Sequence, residues 1–163
     1  MSDYYVKELV VNLSLENANE IIAAALTAGQ EAGLLPLTVA VLDAGGNLVP
    51  FQRQDGSRIV RQDIATGKAW GALGMGISSR TIRDRLKDRP AFQGAIAAAS
   101  QGRFIPVPGG VLICNAAGQA IGAVGISGDA SDKDEYCAIE AIKKAGFVPH
   151  PEDPVEDWRD AGL

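Results

Sequence analysis

The sequence predicts an α+β fold, an antiparallel sheet of about five strands flanked by helices. Three observations predict it. Two pairs of apolar, β-branched runs are each split by a short cluster of turn residues, the mark of a hairpin and so of antiparallel pairing. Helical periodicity occupies the stretches before, between and after those hairpins. The chain has 163 residues, 47% of them hydrophobic, which fits one core at about 100–200 residues per domain.

Ser14 precedes Leu15, Ala18, Ile21, Ile22, Ala25 and Ala32, which recur at helical spacing behind an N-cap residue, and Gly33 supplies the stop. The alanines let a sheet face or a second subunit approach this helix closely. The run Leu37 to Leu42, bounded by Pro36 and by Asp43-Ala44-Gly45-Gly46-Asn47, pairs with Leu48-Val49-Pro50-Phe51. Pro50 has no amide to donate, so the second strand is an edge or carries a bulge. The same grammar returns in Val111 to Asn115, the turn Ala116 to Gln119, and Ala120 to Ser127. Between the hairpins, Gln62 to Leu73, Thr81 to Leu86 and Ala91 to Ala99 read as helices; after them Ser131 or Asp132 caps a helix that stops at Gly146. Helices grouped between hairpins predict a sheet covered mainly on one face, an architecture of the profilin or PAS kind.

Residues 1–146 form the predicted domain and 147–163 an acidic, proline-rich tail with little means of regular structure. Trp158 in that tail needs somewhere to dock, and a neighbouring subunit is one candidate. Together with the alanine-rich first helix it predicts a homo-oligomer.

A net charge of -5 argues against a nucleic-acid partner, since phosphate binding needs clustered Lys and Arg. The start has no basic region followed by an apolar run, and no stretch reaches the roughly 18 apolar residues of a spanning helix. The expectation is a cytoplasmic protein without membrane contact. Cys114 and Cys137 are too few and too far apart for a disulfide framework or a CxxC site.

His150, the single histidine, excludes a two-histidine metal site within one chain, and no metal site is expected. Gly45-Gly46 reads as a hairpin turn. Pro108-Gly109-Gly110 leads into a strand and can present bare amides to an anion, or be a plain turn. Lys68 lies in a predicted helix, where a surface lysine is the default reading, and becomes a site candidate only through a family resemblance. Arg80, Arg83, Arg85, Lys87 and Arg89 form the one basic cluster, interleaved with Asp84 and Asp88. It reads as a solvated helix face or subunit contact, or as a guanidinium fork for carboxylates.

Several segments together resemble the GlcG/HbpS-like family, the haem-degrading domain family that includes the C-terminal domain of PduO-type proteins. They are Leu37 to Leu48, Arg53-Gln54-Asp55-Gly56-Ser57, Ala65-Thr66-Gly67-Lys68-Ala69-Trp70, Pro108-Gly109-Gly110-Val111, and Gly118 to Gly128 running on to Asp134-Glu135. The likeness spans about Leu13 to Gly146. It implies an antiparallel sheet flanked by helices, assembly into oligomers, and a pocket near the Lys68 helix and the Gly109-Gly110 loop. Relatives bind haem or other tetrapyrroles, some are linked to haem breakdown, and others are encoded in catabolic operons.

The family often has His or Lys where Asn47 stands, an aromatic residue and Thr where Trp70-Gly71 stand, and Pro where Leu112 stands. His150 lies outside the matched span, so no axial ligand carries over; Tyr4, Tyr5, Met75, Cys114 and His150 are the residue types able to ligate iron.

The first functional expectation is therefore a haem- or tetrapyrrole-binding accessory protein, haem-degrading in some relatives, with haem as its cofactor and Lys68, Arg80 or Arg103 meeting the propionates. The second is a small-molecule catabolic enzyme, an isomerase, tautomerase, deaminase or lyase acting on a carboxylate. There Lys68, Arg80 and Arg103 are catalytic and the Gly109-Gly110 amides stabilise developing charge. A non-catalytic assembly module is the third. The expected ligand-binding set is Lys68, Gly109, Gly110, Phe104 and Arg53.

Overall fold

The computed structural model describes residues 6–163. Ser14 caps helix α1 (Leu15–Glu31), its hydroxyl accepting the Asn17 amide at 3.1 Å and so satisfying a donor that a helix start leaves orphaned. Strands β1 (Thr38–Asp43) and β2 (Leu48–Arg53) form the first hairpin. Its turn is held by the Asp43 carboxylate, which accepts the Gly45 and Asn47 amides. The register slips between Ala40 and Leu42: Val49 and Pro50 oppose Val41 alone, and this bulge in an edge strand is where proline is tolerated.

Helices α2 (Val60–Met75), α3 (Ser79–Leu86) and α4 (Pro90–Ala99) follow, then β3 (Gly110–Cys114) and β4 (Ala120–Ser127), α5 (Ser131–Lys144) and a short β5 (Val148–His150). The five strands pair antiparallel in the order β2-β1-β4-β3-β5.

The sheet is covered on both faces, not mainly on one. Helices α1 and α5 lie on the face carrying Val39, Val41, Val111, Ile113, Val124 and Ile126. On the other face α2 seats Ala69 and Ala72 against Leu42, Leu112 and Ala123. The cause is visible in the strands: β3 and all but the first residue of β4 are buried, the pattern of strands packed on both sides rather than half-solvated ones. Each fully buried isoleucine between the layers, such as Ile21, Ile126 or Ile142, contributes about 1.5–3 kcal/mol.

The segment after Gly146 is structured. It adds β5 beside β3, and Trp158 stacks on Tyr136 of the same chain, with ring centroids 3.7 Å apart and planes at 8°. Trp158 thus docks on α5 of its own chain, where a neighbouring subunit was one candidate.

Candidate functional site

Helix α2 places its residues through unusually close packing. A side chain at Gly125 of β4 would strike the Ala65 carbonyl, so glycine there lets α2 lie almost on the sheet backbone. Lys68, one turn on, reaches the end where β3 begins and β4 finishes. A side chain at Gly109 would come within 2.9 Å of the Lys68 ammonium, and one at Gly110 would strike the Lys68 carbonyl. Lys68 is therefore adjacent to this loop, with which it was expected to line one pocket.

The meeting is internal. Lys68 is fully enclosed, and its Nζ donates to the Ile126 carbonyl at 2.8 Å and to Asp134 Oδ2 at 3.0 Å. Asp134, from the first turn of α5, accepts the Asp129 amide at 3.0 Å with its other oxygen. Burial pushes the Lys68 ammonium below its ordinary range and the Asp134 carboxyl above its own, while each draws the other back toward the charged form. Arg61, whose guanidinium donates to Ser127 Oγ at 3.2 Å, adds its field to both. The Gly110 amide is also taken: it donates to Ser79 Oγ at 2.7 Å. Lys68 thus stands as an ion-pair partner of Asp134 instead of a cation open to a ligand, and Gly110 offers no bare amide.

Of the remaining expected residues, Arg80 alone lies near this pair. Arg80 sits beside this pair, its Nε 3.2 Å from Glu135 Oε1 and one terminal nitrogen donating to the Asp153 carbonyl at 2.9 Å. Arg103 donates to the Ser100 carbonyl at 2.9 Å and lies 4.5 Å over the Trp70 ring. Phe104 is buried with Ile82 and Leu86. Arg53 closes its own loop on the Ser57 carbonyl at 2.7 Å, near Leu26 and Gln30 of α1.

Asp134 and Glu135 are buried acidic residues to which sequence reasoning gave no role. Glu135 is completely buried, neither of its carboxyl oxygens accepts a hydrogen bond, and burial raises its pKa to about 7 despite Arg80. The signal was two adjacent acidic residues in a helix that must pack on the sheet.

A second feature is α4. Its sequence, Pro90 to Ala99, is almost wholly apolar, yet none of its residues is buried. Phe92 is 38% exposed with the Arg89 guanidinium 4.5 Å over its ring, and Arg85 and Lys87 lie exposed nearby in sequence. Among the described residues no helix is long and apolar enough to cross a membrane, and no cluster of three His, Cys, Asp or Glu is placed to hold a metal ion.

An antiparallel five-stranded sheet between helical layers, with a lysine–carboxylate pair sealed at one end, defines an α+β class of domain. The chain belongs to the HbpS-like family of haem degrading proteins, whose model matches residues 13–143. It is similar to the PduOC protein solved in complex with haem: 26% identity, 86% of this chain and 99% of that one covered, TM-score 0.76. It is 32% identical over 109 residues to an uncharacterized 15.0 kDa protein from the dhaT-dhaS intergenic region of Citrobacter freundii, covering 66% of this chain and 75% of the relative. It is 25% identical over 144 residues to the corrinoid adenosyltransferase PduO of Citrobacter freundii, covering 88% of this chain but 42% of that enzyme. The chain thus spans less than half of that enzyme's length.

Proposed function

We propose that this chain binds haem or a related tetrapyrrole and does so as a homo-oligomer. The observation that carries the reading is the match, over nearly the full length of the relative, to a domain solved with haem. The residues fit the macrocycle in part. The uncovered face of α4 suits its apolar faces, and Arg85 and Arg89 suit its propionates, because arginine pairs with carboxylates in a fork and lies readily against aromatic rings.

For the iron, His150 is exposed on β5 and Met75 is 38% exposed at the end of α2. Cys114 and Cys137 are buried, and burial raises both thiols, Cys137 to about 12, which disfavours the ligating thiolate. Tyr4 and Tyr5 lie outside the described residues. Bound haem supplies redox chemistry at iron; what this chain contributes is a seat, a charge complement and a weak donor set.

Hemin added to the purified protein should give a saturable Soret band of high-spin character, with His150→Ala changing it little. Absence of saturable binding overturns the haem reading; a sharp low-spin spectrum lost in His150→Ala makes His150 the axial ligand. Light scattering should report an oligomer, and a monomer across micromolar concentrations overturns the assembly.

A further inference from the structure

Glu135 is the feature that neither folding nor haem binding accounts for. A buried carboxyl ordinarily finds hydrogen-bond donors, because leaving it without them costs about 1–3 kcal/mol or more. Here both oxygens lack them, and so does the buried Oδ1 of Asp132, one turn earlier on the same face of α5. Arg80 of α3 is the nearest guanidinium, but its Nε lies 3.2 Å from Glu135 Oε1 at an angle that makes no hydrogen bond. The same arginine spends a terminal nitrogen on a backbone carbonyl, that of Asp153.

That carbonyl belongs to the segment following β5, and its fastenings are replaceable. The Asp153 carboxylate is 81% exposed where it meets Lys143 at 3.0 Å, and such solvated pairs contribute little. The firm attachment is the Trp158 stack on Tyr136. The Arg80 side chain keeps 16% of its surface open to solvent.

We propose that Arg80 and Glu135 form a ligand site for a small molecule bearing a carboxylate, roofed by residues 151–158, in which the ligand's carboxylate displaces the Asp153 carbonyl from Arg80 and Glu135 hydrogen-bonds to the same ligand. The proposal is independent of the haem reading. The Asp153 carbonyl is an internal stand-in: an oxygen acceptor already held in the arginine fork. A planar guanidinium holds a carboxylate by two parallel bonds where it now holds one carbonyl. Glu135 in its acid form supplies the third donor, and the groups that set its proton are all nearby: Arg80 and Arg83 on α3, Asp132 beside it on α5, and Lys68 on α2. On the roof side stands the Asp153 backbone, its carboxylate turned to Lys143.

The test uses the full chain with acetate, pyruvate and benzoate as probes, read by calorimetry and by tryptophan fluorescence. At least one should bind at pH 6 and lose roughly tenfold in affinity by pH 8, as Glu135 gives up its proton and stops donating. Glu135→Gln, whose amide still donates, should bind with no such pH dependence. Arg80→Gln should lose binding by tenfold or more while its circular dichroism stays native. Trp158→Ala, which loosens the roof without touching the fork, should bind about tenfold more tightly if roof and ligand compete. The proposal is overturned if no probe binds either the native protein or Trp158→Ala. It is equally overturned if Arg80→Gln keeps native affinity, if binding by the native protein is flat from pH 6 to 8, or if Trp158→Ala binds no more tightly than the native protein.

Discussion

Lys68 is the largest completely enclosed side chain among the described residues, and its worth lies in what its loss would leave behind. Lys68→Met preserves most of the length but strands the Asp134 carboxylate in the interior. The expected cost is about 3–5 kcal/mol, because breaking a buried pair leaves an uncompensated charge. Urea denaturation reads it directly, and a paired Lys68→Met, Asp134→Leu variant should recover much of the loss. The sequence located half of this arrangement. The family resemblance set Lys68 and the Gly109-Gly110 loop beside one another; that Asp134 meets the lysine, 66 positions away, was not legible, since the pair exists only once both helical layers close on the sheet.

Glu135 makes the opposite contribution. Its folded-state pKa, about 7, stands above the ordinary 4.5, so the native state holds a proton that the unfolded chain releases. Stability from this group is fully present below about pH 4.5 and is lost as pH rises through 7, by roughly 3 kcal/mol in all. Glu135→Gln should remove that slope and be the more stable protein at pH 8. Melting temperatures for both proteins from pH 5 to 8 check the sign, and parallel curves contradict it.

At the scale of elements, the closeness of α2 to β4 is set by a missing side chain. Gly125→Ala would drive a methyl group into the Ala65 carbonyl, and since backbone cannot step aside as a flexible side chain can, the helix must lift. A loss of about 3 kcal/mol, at the upper end for overpacking, is expected in chemical denaturation; a loss under about 1 kcal/mol would mean that the layer gap is elastic. The hairpins, the helix order and the bulge at Pro50 were readable because turn residues and missing amides act locally. The second helical layer was not, although Ala120 to Ser127 contains no polar residue before its last position. The sheet was expected to be covered mainly on one face, and a strand without polar residues was the sign that both faces are buried.

At the scale of the whole molecule, the closing segment was misjudged for a physical reason. Proline and acidic residues disfavour helix and sheet core, but they do not stop a chain from laying three residues along an open edge and anchoring itself by one aromatic stack. Trp158 is thereby taken up within its own chain and no longer argues for the proposed assembly.

The Lys68 ammonium joins α2 on one face of the sheet to α5 on the other, past the ends of β3 and β4. Neither layer can therefore peel away alone without baring a charge in a low-dielectric gap, and partial opening is penalised along with complete unfolding. Native-state hydrogen exchange should find the slowest amides of α2, β4 and α5 sharing one opening free energy, a single cooperative unit. In the apolar replacement of Lys68 and Asp134 that shared value should separate into two, the layer holding α1 and α5 retaining the higher one because it carries the larger apolar cluster. Exchange that already separates the layers in the native protein would show that the buried ion pair binds two residues without binding two halves of the fold.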